Sequence, residues 1–267
     1  MLELDTDALS AIARQAGAAI MDVRQNGFDV TFKADQSPLT TADTRSNRVI
    51  LDGLARAFPG EPVICEETAQ AAPELRRQWS RCFVVDPLDG TKEFARGSDE
   101  FCVCIALVAQ GEPVFGVIHA PMTDTLYAGG PQWGAWRRQA DGPVEPMRVS
   151  PPAPGEDLAV LGSVSHPDPR LAAYLDRLPV GHRLVTRGSA LKFCAVAEGK
   201  AHLYPRLNPT WEWDTAAGHA ILLGAGGSLT GPGDAAFTYN KHVLLNGPFL
   251  ARAWSGGDPY PELLAFP

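Results

Sequence analysis

The chain has 267 residues, of which 45% are hydrophobic and 20% are charged, and its formal net charge is −8 at pH 7. This composition is typical of a globular protein with a substantial core, and the acidic balance argues against a nucleic-acid polymer as partner, because such partners need a basic surface. The sequence has no apolar run of bilayer length and no basic, then apolar leader. We therefore expect a cytoplasmic protein with no integral membrane segment.

Helical and strand patterns alternate in the first part of the chain. Apolar side chains at helical spacing predict a helix over residues 2–25 and another over residues 43–58. Residues 28–33 alternate like a strand, and residues 62–67 form a short apolar run. Five cysteines lie in or beside apolar runs without a zinc-type CxxC pairing, so we expect reduced, mostly buried thiols.

Carboxylates follow two of the apolar runs. Glu66 and Glu67 end the run over 62–67, and the β-branched run over 81–85 leads directly into Asp86-Pro87-Leu88-Asp89-Gly90-Thr91. Oxygen ligands at the end of a strand suit Mg²⁺, and the free N–H groups of a helix start suit phosphate. Gly90 allows a tight turn, and Thr91 is expected to cap a short helix over residues 92–94.

Each of these features also has an ordinary structural interpretation. The Asp-Pro and Asp-Gly pairs are common in surface turns, and adjacent glutamates after a strand are often only solvated charge. Asp43 is typical of the first turn of a helix, and Asp214 is typical of a helix N-cap. His119 is interpreted as a strand-end histidine without a catalytic role.

A proline-rich segment divides the remaining pattern. Before it, strands over 101–108 and 114–119 form a hairpin, followed by two more strands of one antiparallel sheet. Prolines crowd residues 141–157, which predicts a boundary between domains over 1–150 and 151–267. After it, strands and helices alternate, as in an α/β layer. The predicted strands cover 159–163, 183–186 and 201–205, and the predicted helices cover 169–177, 189–198 and 214–223.

Taken together, three acidic motifs resemble the inositol monophosphatase superfamily of Mg²⁺-dependent, lithium-sensitive phosphatases. They are Glu66-Glu67, the segment 86–91, and Trp213-Asp214-Thr215-Ala216-Ala217-Gly218. The resemblance implies an α+β or α/β fold, a layered αβαβα sandwich of the inositol monophosphatase and fructose-1,6-bisphosphatase type. Its active site would lie between the two halves.

Further motifs are similar to the bacterial CysQ branch, the 3′(2′),5′-bisphosphate nucleotidases. They are the segments 33–40, 90–94, 188–194 and 203–206, while Trp211 and Glu212 fall where relatives vary. This branch implies hydrolysis of adenosine 3′,5′-bisphosphate to AMP and phosphate. The alternatives are an inositol monophosphatase or a sugar bisphosphatase with the same chemistry, and a non-catalytic binding protein.

The resemblance also implies roles for individual residues. Two or three Mg²⁺ ions would be bound by the carboxylates of Glu66, Asp86, Asp89 and Asp214 and by the backbone carbonyl of Leu88. Asp43 and Thr91 would hold and activate the attacking water, together with Glu66 as a catalytic residue. The proposed substrate-binding residues are Asp89, Gly90, Thr91, His166, Ser189, Lys192, Arg206 and Asp214.

The partner implied by the family is a small-molecule phosphate ester. The second phosphate of the nucleotide needs a cation, which Lys192 or Arg206 would supply, although a helix-face lysine is usually solvated and an arginine often forms a structural ion pair. The sequence leaves the oligomeric state open between monomer and homodimer. Some relatives also associate peripherally with the inner membrane.

Overall fold

The computed structural model describes residues 4–32, 38–163, 169–176, 178 and 180–255. The helices are α1 Thr6–Asn26, α2 Thr41–Ala57, α3 Pro73–Arg76, α4 Thr91–Ala95, α5 Pro169–Leu175, α6 Leu191–Ala197 and α7 Ala216–Gly224. The first nine strands are β1 Val30–Phe32, β2 Pro38–Thr40, β3 Val63–Cys65, β4 Arg81–Asp89, β5 Cys102–Ala109, β6 Glu112–Ala120, β7 Thr125–Gly130, β8 Gly134–Gln139 and β9 Glu145–Met147. The others are β10 Leu158–Ser163, β11 His182–Arg187, β12 Leu203–Arg206, β13 Thr210–Trp211, β14 Ser228–Thr230, β15 Leu245–Asn246 and β16 Phe249–Arg252.

The larger sheet runs in chain order from β3 to β9. Only β3 and β4 pair in parallel, and every later pair is antiparallel. The predicted hairpin between β5 and β6 is confirmed. Gln110 and Gly111 both have positive φ, at 52° and 81°, which is the backbone of a two-residue type I′ turn.

Two helices cover one face of this sheet. Asp5 caps α1 by accepting a hydrogen bond from the Ala8 N–H at 2.8 Å, and Thr40 caps α2 in a capping box with Asp43. The apolar stripe of α1 and α2 packs against β4, β5 and β6. Together they enclose one of the two hydrophobic cores of the described chain.

The second sheet has the order β11-β10-β12-β16-β14. Its β10 pairs in parallel with β11 and β12, whereas β16 pairs antiparallel with β12 and β14. Helix α5 connects the parallel strands β10 and β11. This confirms the predicted alternation of strands and helices over residues 159–223.

Helix α7 fills the space between the two sheets. It packs against β5 to β8 of the first sheet, against β14 of the second, and against α6. The approach to β6 is so close that a Cβ at Gly116 would lie 2.3 Å from the Ala217 carbonyl oxygen, so this position needs glycine. The layers therefore follow the order αβαβα, as predicted.

The structure corrects two details of the predicted elements. Strand β4 does not stop at residue 85 but continues to Asp89, and the proline-rich segment contains β9, which adds an edge strand to the first sheet. Prolines are tolerated there because an edge strand leaves some N–H groups unpaired. The division into domains 1–150 and 151–267 stays a prediction, since α7 packs on both sheets.

The five cysteines are all buried and free, in agreement with the prediction of reduced thiols. Cys102 and Cys104 lie on the same face of β5, with 3.7 Å between their sulfur atoms. Within the described residues, none of the helices is both long and apolar enough to cross a bilayer.

The buried His219 of α7 should make stability depend on pH. Burial lowers its pKa to about 3, and its Nδ1 lies 3.0 Å from the Tyr239 hydroxyl. Below pH 6.5 this histidine binds a proton in the unfolded chain but not in the folded chain. The unfolding free energy therefore decreases as the pH is lowered. When the pH is lowered from 7.5 to 5, the wild type should lose about 2 kcal/mol more unfolding free energy than His219→Gln, as measured by urea denaturation.

The matched control is His182→Gln, because His182 is exposed on β11. This variant should keep the wild-type difference between the two pH values. Equal pH dependence in His219→Gln and the wild type would contradict the prediction.

Candidate active site

A cavity of about 340 Å³ opens where β4 of the first sheet faces α6 and the segment before α7. Most of the residues predicted for the site lie in its wall. The lining residues are Pro38, Glu66, Asp86, Leu88, Asp89, Gly90, Thr91, Lys92, Glu93, Ser189, Ala190, Lys192, Tyr204, Arg206, Thr210, Trp211, Asp214 and Thr215.

A β-bulge in β4 brings two carboxylates to the same face of the sheet. Asp86 pairs with Cys104 and Asp89 with Cys102, so three steps along β4 match two steps along β5. In a regular strand, residues three apart point to opposite faces, and the extra residue cancels that alternation. Both carboxylates therefore face the cavity side, and the Leu88 N–H donates to Asp86 Oδ1 at 3.0 Å.

Asp214 reaches the same place from the second half of the chain. One carboxylate oxygen from each of Asp86, Asp89 and Asp214 lies within 4.8 Å of the others. Asp214 is not the N-cap of α7. It ends a short 3₁₀ turn, Thr215 occupies the N-cap position, and Asp214 Oδ2 accepts from the Trp211 N–H at 2.8 Å. The Asp214 side chain therefore lines the cavity and does not cap the helix.

Glu66 stands in the cavity wall just beyond the end of β3. Its backbone N–H donates to the Val85 carbonyl at 3.2 Å, which continues the pairing of β3 with β4. The negative charge of Glu66 contributes to raising the pKa of Asp86. Of the two adjacent glutamates, Glu66 lines the cavity, and Glu67 is not among the lining residues.

The carboxylates oppose one another's ionisation. The pKa of Asp86 is well above its ordinary value because the group is buried and because Glu66, Asp89 and Asp214 repel its negative charge. Burial also raises the pKa of Asp214, with Asp89 adding repulsion. Burial raises the pKa of Asp89, while the Lys192 charge and the Ala190 N–H work in the opposite direction. A cluster of this kind favours bound cations.

Thr91 and Asp43 meet at the side of the cavity. The Thr91 hydroxyl lies 3.0 Å from both Asp43 Oδ1 and the Leu88 carbonyl oxygen, and it can donate to either acceptor. Asp43 Oδ2 accepts from the N–H and the hydroxyl of Thr40 at 2.7 and 2.6 Å. Burial raises the pKa of Asp43, and the Thr40 bonds partly offset that effect.

The expected helix cap at Thr91 is wrong. Thr91 is the first residue of α4, and the N-cap is Gly90, whose φ is +94°. A Cβ at Gly90 would lie 2.9 Å from the Glu100 carbonyl oxygen, so both the backbone angle and the space require glycine. The Thr91 hydroxyl is therefore available to hydrogen-bond with Asp43 and the Leu88 carbonyl.

Positive charge enters from α6 and β12. Lys192 is only 4% exposed, so the alternative interpretation of a solvated helix-face lysine does not apply. Its Nζ donates to the Ser189 carbonyl at 2.7 Å and lies 5.3 Å from the centre of the Tyr204 ring. Burial lowers the pKa of Lys192 to about 8. Arg206 lines the same wall and donates from Nε to the Asn208 carbonyl at 3.3 Å.

The structure thus gathers nearly all the predicted site residues. Asp43 stands behind the wall and reaches it through Thr91. His166 lies outside the described residues. Pro38 and Tyr204 also line the cavity, and both fall within segments that carried the family resemblance. The roles of all these residues stay predictions.

Comparisons with known proteins agree with this geometry. Residues 1–256 match the profile of the Inositol monophosphatase family. The chain is 45% identical over 222 residues to the "3′(2′),5′-bisphosphate nucleotidase CysQ" of Escherichia coli, which covers 82% of this chain and 87% of that protein.

Solved structures show the same fold. The crystal structure of CysQ from Bacteroides thetaiotaomicron superposes with a TM-score of 0.82 and 35% identity, covering 96% of this chain and 100% of that one. An inositol monophosphatase from Anabaena gives a TM-score of 0.75 and 26% identity, covering 97% and 92% of the two chains.

Glu212 is a residue near the site that sequence reasoning undervalued. It is fully buried, and its carboxylate accepts from the N–H groups of Asn240 and Lys241 at 2.6 and 3.0 Å and from Lys241 Nζ at 2.8 Å. Lys241 Nζ also donates to Asn246 Oδ1 at 2.8 Å, and Asn246 donates back to the Trp211 carbonyl at 2.8 Å. This network anchors the backbone that presents Asp214.

Removing the charge of the buried Glu212 should destabilise the protein, because the ammonium group of Lys241 would lose its anionic partner. We expect Glu212→Gln to lose about 2–3 kcal/mol of unfolding free energy, measured by urea denaturation at pH 7. In a cycle with Lys241→Met, the double variant should lose less than the sum of the single losses.

The control for this network is Glu74→Gln, since Glu74 is exposed on α3. It should leave the unfolding free energy near the wild-type value. Additive losses in the double variant would show that Glu212 and Lys241 act independently and would contradict the network.

Proposed function

The chain belongs to the inositol monophosphatase family, and from this premise we propose that it is a phosphatase that hydrolyses adenosine 3′,5′-bisphosphate to AMP and inorganic phosphate. The relatives named for this reaction are similar over most of their length. The observation that carries the proposal is the convergence of Asp86, Asp89 and Asp214, with carboxylate oxygens within 4.8 Å of one another.

The donor set fits magnesium. Asp86, Asp89 and Asp214 offer hard carboxylate oxygens, and Glu66 and the Leu88 carbonyl stand at the same wall. Burial and, after it, the repulsion among these groups raise the pKa of Asp86, and bound divalent cations would relieve the repulsion. When bound, Mg²⁺ would lower the pKa of a water molecule and offset charge on the phosphoryl oxygens. We propose two or three ions for the complete site.

The residues beside the carboxylates would position the attacking water. Thr91 can accept a proton from that water at its hydroxyl oxygen while donating its own proton to Asp43 Oδ1, 3.0 Å away. The raised pKa of Asp43 suits it to receiving a proton, because burial disfavours its charged form. Thr40 holds the other oxygen of Asp43, so the carboxylate keeps its orientation toward Thr91.

The phosphate to be cleaved would lie against Gly90 and Thr91, at the end of β4. The second phosphate would lie toward Lys192 and Arg206, the two cations of the opposite wall. Lys192 with a pKa of about 8 is still mainly protonated at neutral pH. Ser189 supplies the carbonyl that fixes its ammonium group. We keep His166 as a proposed contact, although it lies outside the described residues.

The function is tested by comparing substrates. Phosphate release should be measured from adenosine 3′,5′-bisphosphate, inositol 1-phosphate and fructose 1,6-bisphosphate with Mg²⁺, with and without Li⁺. We expect the highest kcat/KM for the nucleotide. Inositol 1-phosphate lacks the second phosphate that Lys192 and Arg206 face, and fructose 1,6-bisphosphate lacks the nucleoside that the related nucleotidases are named for. We also expect Li⁺ to inhibit.

A higher kcat/KM for inositol 1-phosphate or the sugar would overturn the substrate assignment. Phosphate release from none of the three would instead support a non-catalytic binding protein. Each outcome therefore separates one of the family's alternatives from the proposed reaction.

Asp86→Asn should abolish most of the activity, because an amide oxygen lacks the charge that holds the ions. We expect kcat to fall about 1000-fold at saturating Mg²⁺, a loss of about 4 kcal/mol of transition-state stabilisation. Phosphate release in single-turnover conditions measures it. Asp52→Asn, on the exposed side of α2, is the matched control and should keep wild-type activity.

The same variant has an opposite effect on the metal-free protein. In EDTA, Asp86→Asn should have a higher Tm than the wild type, because it removes one of four repelling carboxylates. Addition of Mg²⁺ should raise the Tm of the wild type more than that of the variant. A wild-type response to Mg²⁺ in Asp86→Asn would contradict the assignment of this residue as a ligand.

A further inference from the structure

Trp211 stands at the rim of the active-site cavity with much of its indole in solvent. It lines the cavity and is 42% exposed, whereas its neighbours Thr210 and Glu212 are buried. Its indole is therefore an accessible aromatic surface in the wall of a polar, charged site. The residue occupies the short strand β13, directly before the turn that carries Asp214.

The backbone of Trp211 is fixed from both sides. Its N–H donates to Asp214 Oδ2 and its carbonyl accepts from Asn246 Nδ2, each at 2.8 Å. Strand β13 also pairs with β15, where Leu245 stands opposite Trp211. The side chain therefore starts from a defined position relative to the carboxylate cluster.

One face of the indole is already covered. The rings of Trp211 and Trp213 stack with 5.1 Å between centroids and an interplanar angle of 12°, and Trp213 is 7% exposed in the core. Stacking on the buried Trp213 ring limits rotation of the Trp211 side chain. A ligand that binds on Trp211 therefore requires little further ordering of the protein. The exposed part is a preformed flat surface.

We propose that Trp211 is a stacking platform for the purine base of the nucleotide substrate. This inference rests on the proposed function and adds the element that recognises the base. A flat aromatic heterocycle gains stacking energy on an indole in any orientation, whereas the puckered ring of an inositol or a sugar has no aromatic face to stack. The carboxylates serve any phosphate ester, and Trp211 favours those that carry a base.

The position of Trp211 suits this role. A substrate phosphate at the carboxylate cluster would lie next to Asp214, whose Oδ2 accepts a hydrogen bond from the backbone N–H of Trp211 at 2.8 Å. The base of a nucleoside 3′-phosphate is separated from that phosphate by one ribose. Because Trp211 lines the same cavity as the carboxylates, a base one ribose away from the bound phosphate would lie near the indole.

The test compares two substrates that differ only in the base. Adenosine 3′,5′-bisphosphate carries it, and the 3,5-bisphosphate of 1-deoxyribofuranose lacks it. We expect Trp211→Ala to raise KM for the nucleotide about tenfold, equivalent to about 1.4 kcal/mol of stacking, with kcat unchanged. KM for the base-free substrate should stay at the wild-type value. Trp211→Phe should restore most of the nucleotide affinity, because phenylalanine keeps an aromatic face.

A binding experiment gives a readout that does not depend on turnover. AMP titrated into the protein with Mg²⁺ should bind about tenfold more weakly to Trp211→Ala than to the wild type by calorimetry. Leu75→Ala is the matched control, since Leu75 is an exposed apolar residue of α3 that does not line the cavity. Its KM and AMP affinity should equal those of the wild type.

The possible failures can be told apart. If the wild type releases no phosphate from either substrate, the proposed function is wrong. If the wild type turns over the nucleotide but Trp211→Ala has an unchanged KM, the platform is wrong and the function stands. Equal losses for both substrates would show that Trp211 only supports Asp214, and would also overturn the platform.

Discussion

Repulsion among carboxylates is the constraint on which the rest of the site depends. Asp86, Asp89 and Asp214 hold oxygens within 4.8 Å of one another, and Glu66 adds a fourth negative charge. A cluster of this kind costs folding free energy in the absence of cations. The surrounding structure must therefore hold these groups together against their mutual repulsion. Bound cations would relieve this repulsion, which favours metal binding, and the bound cations would in turn attract phosphate.

The two halves of the chain hold their carboxylates in place by different means. Asp86 and Asp89 are held by the ladder of a seven-stranded sheet, in which a bulge turns both toward the cavity. Within the described residues, Asp214 lies outside the two large sheets, and its segment is held instead by the ion pair between the buried Glu212 and the partly exposed Lys241. The dense polar network beyond Asp214 thus substitutes for the rigidity that β4 provides on the other side.

Local patterns in the sequence predicted the helices and the acidic motifs well, because helical spacing and strand ends are short-range signals. The features that escaped prediction depend on distant partners. The bulge after Asp86 exists only relative to β5, and the buried Lys192 lies over the ring of Tyr204 on β12. Glu212 falls where relatives vary, and its partner Lys241 lies 29 positions further along the chain, so no local pattern indicated its role. Spacing within one segment cannot reveal such pairings.

A division of labour between the ends of the cavity follows from its chemistry. The carboxylate end would select for a phosphate group, because cations bound there would contact the phosphoryl oxygens. Selectivity among phosphate esters must then come from the groups further out, where Lys192 and Arg206 offer charge and Trp211 offers a flat apolar surface. Cations attract any second anionic group, a sugar phosphate included. The proposed Trp211 surface would distinguish a nucleotide from a sugar bisphosphate of equal charge, so a substitution at the rim would change substrate choice without disturbing the carboxylates.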